Sequence, residues 1–261
     1  MQNDLRDQGF LNSWTADVRP FVREKYATWR TLLLDVNARC VSLHYEAKVN
    51  ADEPRALLAA AHFARLLASV QAAVILLEHG LLAQAKALLR VALESLFALA
   101  AVEAKPEVAM ALALSQEADK RTIADRILRW QQPNLKAAVA TVVTEAELNN
   151  YLTIKTPEIK TFELAKAADM VDWYLSLYSL LSFPTHGSVS DISSHLITDA
   201  AGQVVGLKNE PEIDGQTAAW AWALEIEIRA ADAFAAVFGP IDFSMDDART
   251  RLQTLSDKAE S

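Results

Sequence analysis

The sequence predicts an all-α protein: an irregular bundle of about seven helices, folded as a single domain over residues 1–261, with long antiparallel helices at its centre. Three observations carry this. Hydrophobic residues make up 52% of the chain and are dominated by Ala and Leu, the apolar residues that a helix accommodates most readily. Apolar positions recur at mixed three- and four-residue spacing along most of the length. Only 7 Gly and 8 Pro interrupt the pattern, too few for a loop-rich β architecture.

Taken in order, Asp17 with Pro20 three residues on reads as a cap and first turn, opening one long amphipathic helix to about residue 49. Asn50, Asp52 and Pro54 form a stop and restart, with Asp52 the expected cap of a second helix to about residue 78. His79-Gly80 ends it, Gly80 suiting a left-handed position after the last turn. A third helix, 81–104, follows almost at once, so the two must lie antiparallel; apolar around most of its circumference, it is the expected centre of the bundle. Pro106 opens a fourth helix. Short helices follow Thr144 and Thr156, and 162–181 is again strongly periodic, with Ser188 the cap of a short helix through Leu196. Residues 197–211 read as a loop or small hairpin, an arm or lid. A helix over about 216–238 and a peripheral C-terminal helix within 244–261 complete the chain.

Charge and composition narrow the function classes. With a net charge of −9 the overall field repels a polyanion, so nucleic acid is an unfavoured partner. One cysteine, Cys40, permits no internal disulfide and fits a reducing compartment. The N-terminus carries acidic residues and no apolar run, which points to the cytoplasm. Segments 56–77 and 81–102 are the most membrane-like, but His62, Arg65 and Gln71 interrupt the first, and Gln84, Lys86, Arg90 and Glu94 the second. Both therefore read as buried helices, with no membrane as partner.

Two constellations stand out. Arg90 and Glu94 lie four residues apart on one face of the helix otherwise committed to the core. Charges placed there must pair with each other, meet polar groups of another helix, or line a cavity, because an unpaired buried charge costs several kcal/mol. Further along, Tyr178, Ser182, His186 and Ser188 gather where a helix ends at Pro184 and Gly187. His186 is suited to acid, base or ligand duty near neutral pH, and Ser182, Ser188 and Tyr178 to binding a ligand; equally, His186 and Ser188 suit the capping of helix ends.

These same residues resemble a known family. Leu88-Leu89-Arg90 with Glu94, then Tyr178, Leu181-Ser182 and His186-Gly187-Ser188, are similar to the bacterial helical family designated domain of unknown function 5677, over roughly residues 63–196. The resemblance implies an all-helical fold and the meeting of the two motifs in space. It implies no particular activity.

Other signals are weaker. Arg39 with His44 and Arg55 with His62 fit the Arg-x4-6-His spacing of helical, toxin-associated ribonucleases, but neither Arg is followed by the polar residue usual there. The 5 His are scattered and no His-Glu-x-x-His occurs, so no metal is expected, and without a phosphate loop or dinucleotide fingerprint no cofactor is expected either. Trp220 and Trp222 diverge by about 200° on a helix, so that one is free for a homodimer contact, while Glu225, Glu227 and Arg229 read as a solvated face. Two functions fit. In one the chain is an interaction or scaffold protein whose Arg90, Glu94 and His186 form a buried polar network. In the other it is an enzyme or small-ligand or nucleotide sensor, of a defence-related ribonuclease-like kind, with His186 as acid or base and Arg90 holding an anion.

Overall fold

A computed structural model describes residues 10, 15–50, 52–129, 133–155, 158–183, 192–193, 195–208, 210–238 and 243–260. The fold is all-α, with more helical segments than the seven expected. The excess comes from the first and middle segments, which the periodicity runs together. The first helix divides at Tyr26 into α1 (Thr15–Lys25) and α2 (Ala27–Glu46). Asp17 lies inside α1 rather than capping it, because the helix already runs from Thr15. Asp52 is not the cap of α3 (Pro54–Glu78) either. Its own N–H is taken by the Asn50 side chain at 3.0 Å, Glu53 stands at the cap position without a side-chain bond, and Pro54 opens the helix as expected.

At the far end of α3 the chain turns as the glycine predicts. Leu81 N–H donates to Leu76 O and Gly80 N–H to Leu77 O, both at 2.9 Å, with Gly80 at φ 72°. The turn delivers α4 (Leu82–Ala104) antiparallel to α3 in the most extensive helix pairing of the molecule. By length and composition α3 qualifies as a membrane-crossing segment, but Phe63, Leu66, Val70, Ala73 and Leu77 are fully buried within the bundle. Leu89, Leu93, Leu96, Phe97 and Leu99 of α4 are likewise fully buried, so α4 occupies the interior expected of it.

The next segments are α5 (Pro106–Arg129), α6 (Pro133–Ala140) and α7 (Glu145–Tyr151). The last is opened by a capping box: Thr144 Oγ1 accepts Glu147 N–H at 3.2 Å while Glu147 accepts Thr144 N–H at 2.8 Å. The expected cap at Thr156 lies outside the described residues, and the following helix, α8 (Thr161–Ala167), starts at Thr161 behind Lys160. Asp169, at φ 56°, then breaks the periodic 162–181 segment. The chain resumes as α9 (Val171–Trp173), a π-helical stretch (Tyr174–Tyr178) and α10 (Ser179–Ser182), which follow one another without interruption.

The hairpin expected at 197–211 exists. Strands β1 (Leu196–Thr198) and β2 (Val204–Leu207) pair antiparallel, Leu196 opposite Leu207 and Thr198 opposite Val204, with an irregularity between Ile197 and Thr198. The final helices are α11 (Thr217–Phe238) and α12 (Asp246–Glu260). Helix α11 packs on α2, α3 and α4 and is as interior as α4 itself: Trp220, Leu224, Ile228, Ala231 and Phe234 are fully buried, and Phe234 stacks on Phe63 with centroids 4.2 Å apart. Trp220 is the core tryptophan, stacked on Tyr26, and Trp222 is half-buried against the core edge. Helix α12 lies on α2 and α11, burying Met245, Ala248 and Leu252 and tied by Arg39 to Asp247 and by Arg251 to Asp35.

Candidate functional site

Arg90 and Glu94 stand one turn apart on the face of α4 that meets the π-helical stretch and α10. The wide turn at 174–178 places Tyr178 over Arg90, and Ser182 follows one turn later. Arg90 donates Nε–H to Ser182 Oγ at 3.0 Å and Nη2–H to Tyr178 OH at 2.6 Å, its guanidinium carbon lying 4.7 Å from the Tyr178 ring centroid. The phenol O–H in turn donates to Glu94 Oε1 at 3.0 Å, and Arg90 Nη2 reaches the same oxygen at 3.2 Å. Ser182 Oγ–H closes the set on Tyr178 O at 2.7 Å.

Tyr178 is thus acceptor from a cation and donor to an anion at one oxygen. Burial, with the nearby Glu94 carboxylate adding to it, raises its pKa above the ordinary value, so the phenol keeps the proton that this double role requires. Phe97 and Tyr174 complete an aromatic layer beneath it, Tyr174 stacking on Tyr178 at 4.8 Å. The side chains of Arg90 and Glu94 remain 19% and 25% exposed, so the network is walled by protein on one side and open to water on the other.

Four of the six residues singled out in the sequence, Arg90, Glu94, Tyr178 and Ser182, therefore meet in space. His186 and Ser188 lie outside the described residues, as does the helix that Ser188 was expected to cap. The two Arg-x4-6-His pairs do not form open sites. Arg39 grips Asp247 through both Nη atoms at 2.7 and 2.6 Å, and Arg55 donates to the carbonyls of Val102 and Glu103 at 3.1 and 2.8 Å. His44 sits among Tyr45, Phe63 and Phe234, and burial, with Arg65 adding to it, pushes His62 down to about 4. Among the described residues no three His, Cys, Asp or Glu side chains gather as metal ligands.

Among the described residues five polar or charged side chains are buried elsewhere, Glu78, Ser95, Ser115, Gln216 and Glu227, and three of them bear on the packing. Glu78, on the last turn of α3, receives Arg19, Arg23 and Arg30. Gln216 ties the bundle end together, taking the Trp220 indole N–H at 3.2 Å and donating to Leu77 O at 3.1 Å. Glu227, read as part of a solvated face, is fully buried on α11, whereas its neighbours Glu225 and Arg229 pair on the outside at 3.5 Å. Offsets of two residues turn a side chain through more than half the helix circumference, and that is the difference between Glu227 and the pair flanking it.

A multi-helix bundle whose central helix is bridged to its neighbour by an Arg–Tyr–Glu–Ser network is the class that these features define. The family of unknown function DUF5677 matches residues 56–203, more than half of the chain, and the protein belongs to that family. Arg90, Glu94, Tyr178 and Ser182 all fall within the matched span, and Arg19, Arg23, Arg30 and Glu227 outside it. No curated protein and no solved structure matches the chain.

Proposed function

We propose that this is a cytoplasmic interaction or scaffold module, acting as a homodimer, in which Arg90, Glu94, Tyr178 and Ser182 serve to lock one helix onto another. The observation that carries the reading is the use of the Arg90 guanidinium: both Nε and Nη2 are given to residues of the π-helical stretch and α10, leaving the fork as a bracket between helices. The β-hairpin offers the contact surface, since Ile197, Val204, Val205 and Leu207 all face solvent, and an isolated two-stranded ribbon is marginal in water.

The test pairs urea unfolding with light-scattering mass. Arg90→Ala is expected to lower stability by about 2–4 kcal/mol, because it strands a partly buried carboxylate and two hydroxyls, with Arg90→Lys recovering only part of the loss. The wild-type chain is expected at twice its monomer mass. An Arg90→Ala protein as stable as wild type, together with a monomeric wild type, overturns the reading.

The exposure of Arg90 and Glu94, 19% and 25%, favours a second reading: an enzyme or small-ligand or nucleotide sensor, with His186 as acid or base and Arg90 holding an anion. It requires a His186→Ala protein that is fully folded yet loses a nucleotide-induced thermal shift.

A further inference from the structure

Glu78 ends α3 almost without exposure, and three guanidiniums converge on it from residues 48 to 59 positions earlier in the chain. Arg19 Nε and Arg23 Nη2, from α1, donate to Oε2 at 2.7 and 2.8 Å; Arg30 Nε, from the start of α2, donates to Oε1 at 2.6 Å. Among the described residues no other carboxylate lies within ion-pairing distance of these three arginines. Among the described residues one negative charge therefore faces three positive ones, a local excess of two in a protein whose net charge is −9. Acceptors are short as well as charge: Arg23 Nε is buried without a hydrogen-bond partner among the described residues. The guanidiniums are nevertheless not sealed in, their side chains being 41%, 38% and 27% exposed.

We propose that Arg19, Arg23 and Arg30 form a binding site for a compact, multiply charged phosphate-type anion, with Glu78 as the fixed counter-charge that gathers and orients them. The excess of two positive charges matches a phosphate dianion, and guanidinium forks pair with phosphate oxygens two at a time. The three guanidiniums gather from two helices around the one Glu78 carboxylate instead of lining a groove, and their exposed edges are left for an anion beside it, which fits the phosphate of a small molecule and not a polymer. The overall negative field supports the same choice, since an extended polyanion samples the whole surface and a small anion only the local cluster. The Glu78 carboxyl is held well below the ordinary carboxylate range, so its charge, and with it the excess, persists at all physiological pH. A bound anion ties α1 and α2 to α3, so occupancy raises the stability of the whole chain.

The probe is sodium pyrophosphate, with inorganic phosphate alongside, titrated into the full chain against sodium chloride of equal ionic strength. Thermal unfolding is expected to show a saturable rise in Tm with pyrophosphate that chloride does not produce. In calorimetric titration Arg19→Gln is expected to weaken pyrophosphate by at least tenfold, Arg19→Lys by a smaller factor, and Arg129→Gln, which removes an exposed charge on α5, not at all. Vesicles carrying a phosphomonoester lipid provide the last arm: sedimentation that depends on Arg19 assigns the phosphate to a headgroup, and its absence beside pyrophosphate binding assigns it to a soluble compound. A pyrophosphate shift no larger than that of chloride, or equal affinity in wild type, Arg19→Gln and Arg19→Lys, overturns the proposal.

Discussion

Position 80 places two demands on one residue. Its φ of 72° is a left-handed conformation, and a Cβ there would stand 2.5 Å from Pro211 Cβ, where residues 211–212 cross the end of α3 and Glu212 N–H bonds Gly80 O at 2.8 Å. Gly202 meets only the first demand, with φ 77° and nothing within 4 Å of an added Cβ. Gly202→Ala is therefore expected to cost about 1 kcal/mol, the left-handed penalty alone, and Gly80→Ala about 2–4 kcal/mol, the same penalty plus overpacking against Pro211. Urea midpoints of the two variants check this; equal losses would show that Pro211 moves aside freely. The helix stop at Gly80 was legible because a His-Gly step after an apolar run is a local signal. The Pro211 contact was not, since 131 residues separate the partners. The same distinction governs the charges. Arg90 and Glu94 announced themselves by sitting in an apolar helix, four residues apart. Glu78 looked like an ordinary helix-end residue, and only tertiary packing brings three arginines to it.

At the scale of elements the informative segment is 171–182, where periodicity predicted one regular helix reaching back to residue 162. The break at Asp169 and the π-helical stretch both escaped that reading, because mixed three- and four-residue spacing tolerates a local change of pitch without losing its apolar face. Yet the wide turn absorbs its extra residue without moving the site. A π turn adds one residue to the circuit, and here it preserves the angular offset between Trp173, held under Arg229 at 4.4 Å, and the Tyr178–Ser182 edge facing Arg90. Leu175 lies inside the stretch and is exposed, so its removal forfeits little burial. Deleting it is expected to let the segment close as an α-helix; four residues at about 100° each sweep nearly the same angle as five in the wider turn, so Tyr178 and Ser182 keep their orientation relative to Trp173. In a double-mutant cycle Arg90→Ala should then cost about 2–4 kcal/mol in the deletion background as it does in the wild type. A much smaller cost in the deletion background would show that the extra residue of the π turn is itself what positions these side chains.

Over the whole molecule three titrating groups, Glu227, His62 and Glu78, set how stability responds to pH. Burial raises Glu227 from its ordinary 4.5 to about 8, with neither carboxylate oxygen partnered among the described residues, so its contribution is complete below pH 4.5 and is lost as pH rises through 8. His62 runs the other way: lowered from 6.5 to about 4, it contributes fully above pH 6.5 and loses that contribution as pH falls through 4. Glu78, whose burial alone would raise it, is lowered from 4.5 to about 2 by the hydrogen bonds of the three guanidiniums; it contributes above pH 4.5 and fails only as pH falls toward 2. Each titrating proton changes stability by about 1.4 kcal/mol per pH unit within its window. From pH 4.5 to 6.5 the Glu227 and His62 slopes are opposite and offset one another, giving a plateau; from 6.5 to 8 Glu227 acts alone and stability declines. Cys40, which meets the Glu227 carbonyl at 3.8 Å, does not disturb this window because burial pushes its thiol well above it. Glu227→Gln keeps the shape of the protonated carboxyl and removes its titration. Urea midpoints measured from pH 4 to 8.5 should therefore lose the decline above 6.5 in this variant and gain a new one below 6.5, where His62 is no longer offset. Parallel profiles for wild type and Glu227→Gln would mean that the carboxyl at the centre of α11 is ionised in the folded chain, and that the bundle interior there is wetter than its packing shows.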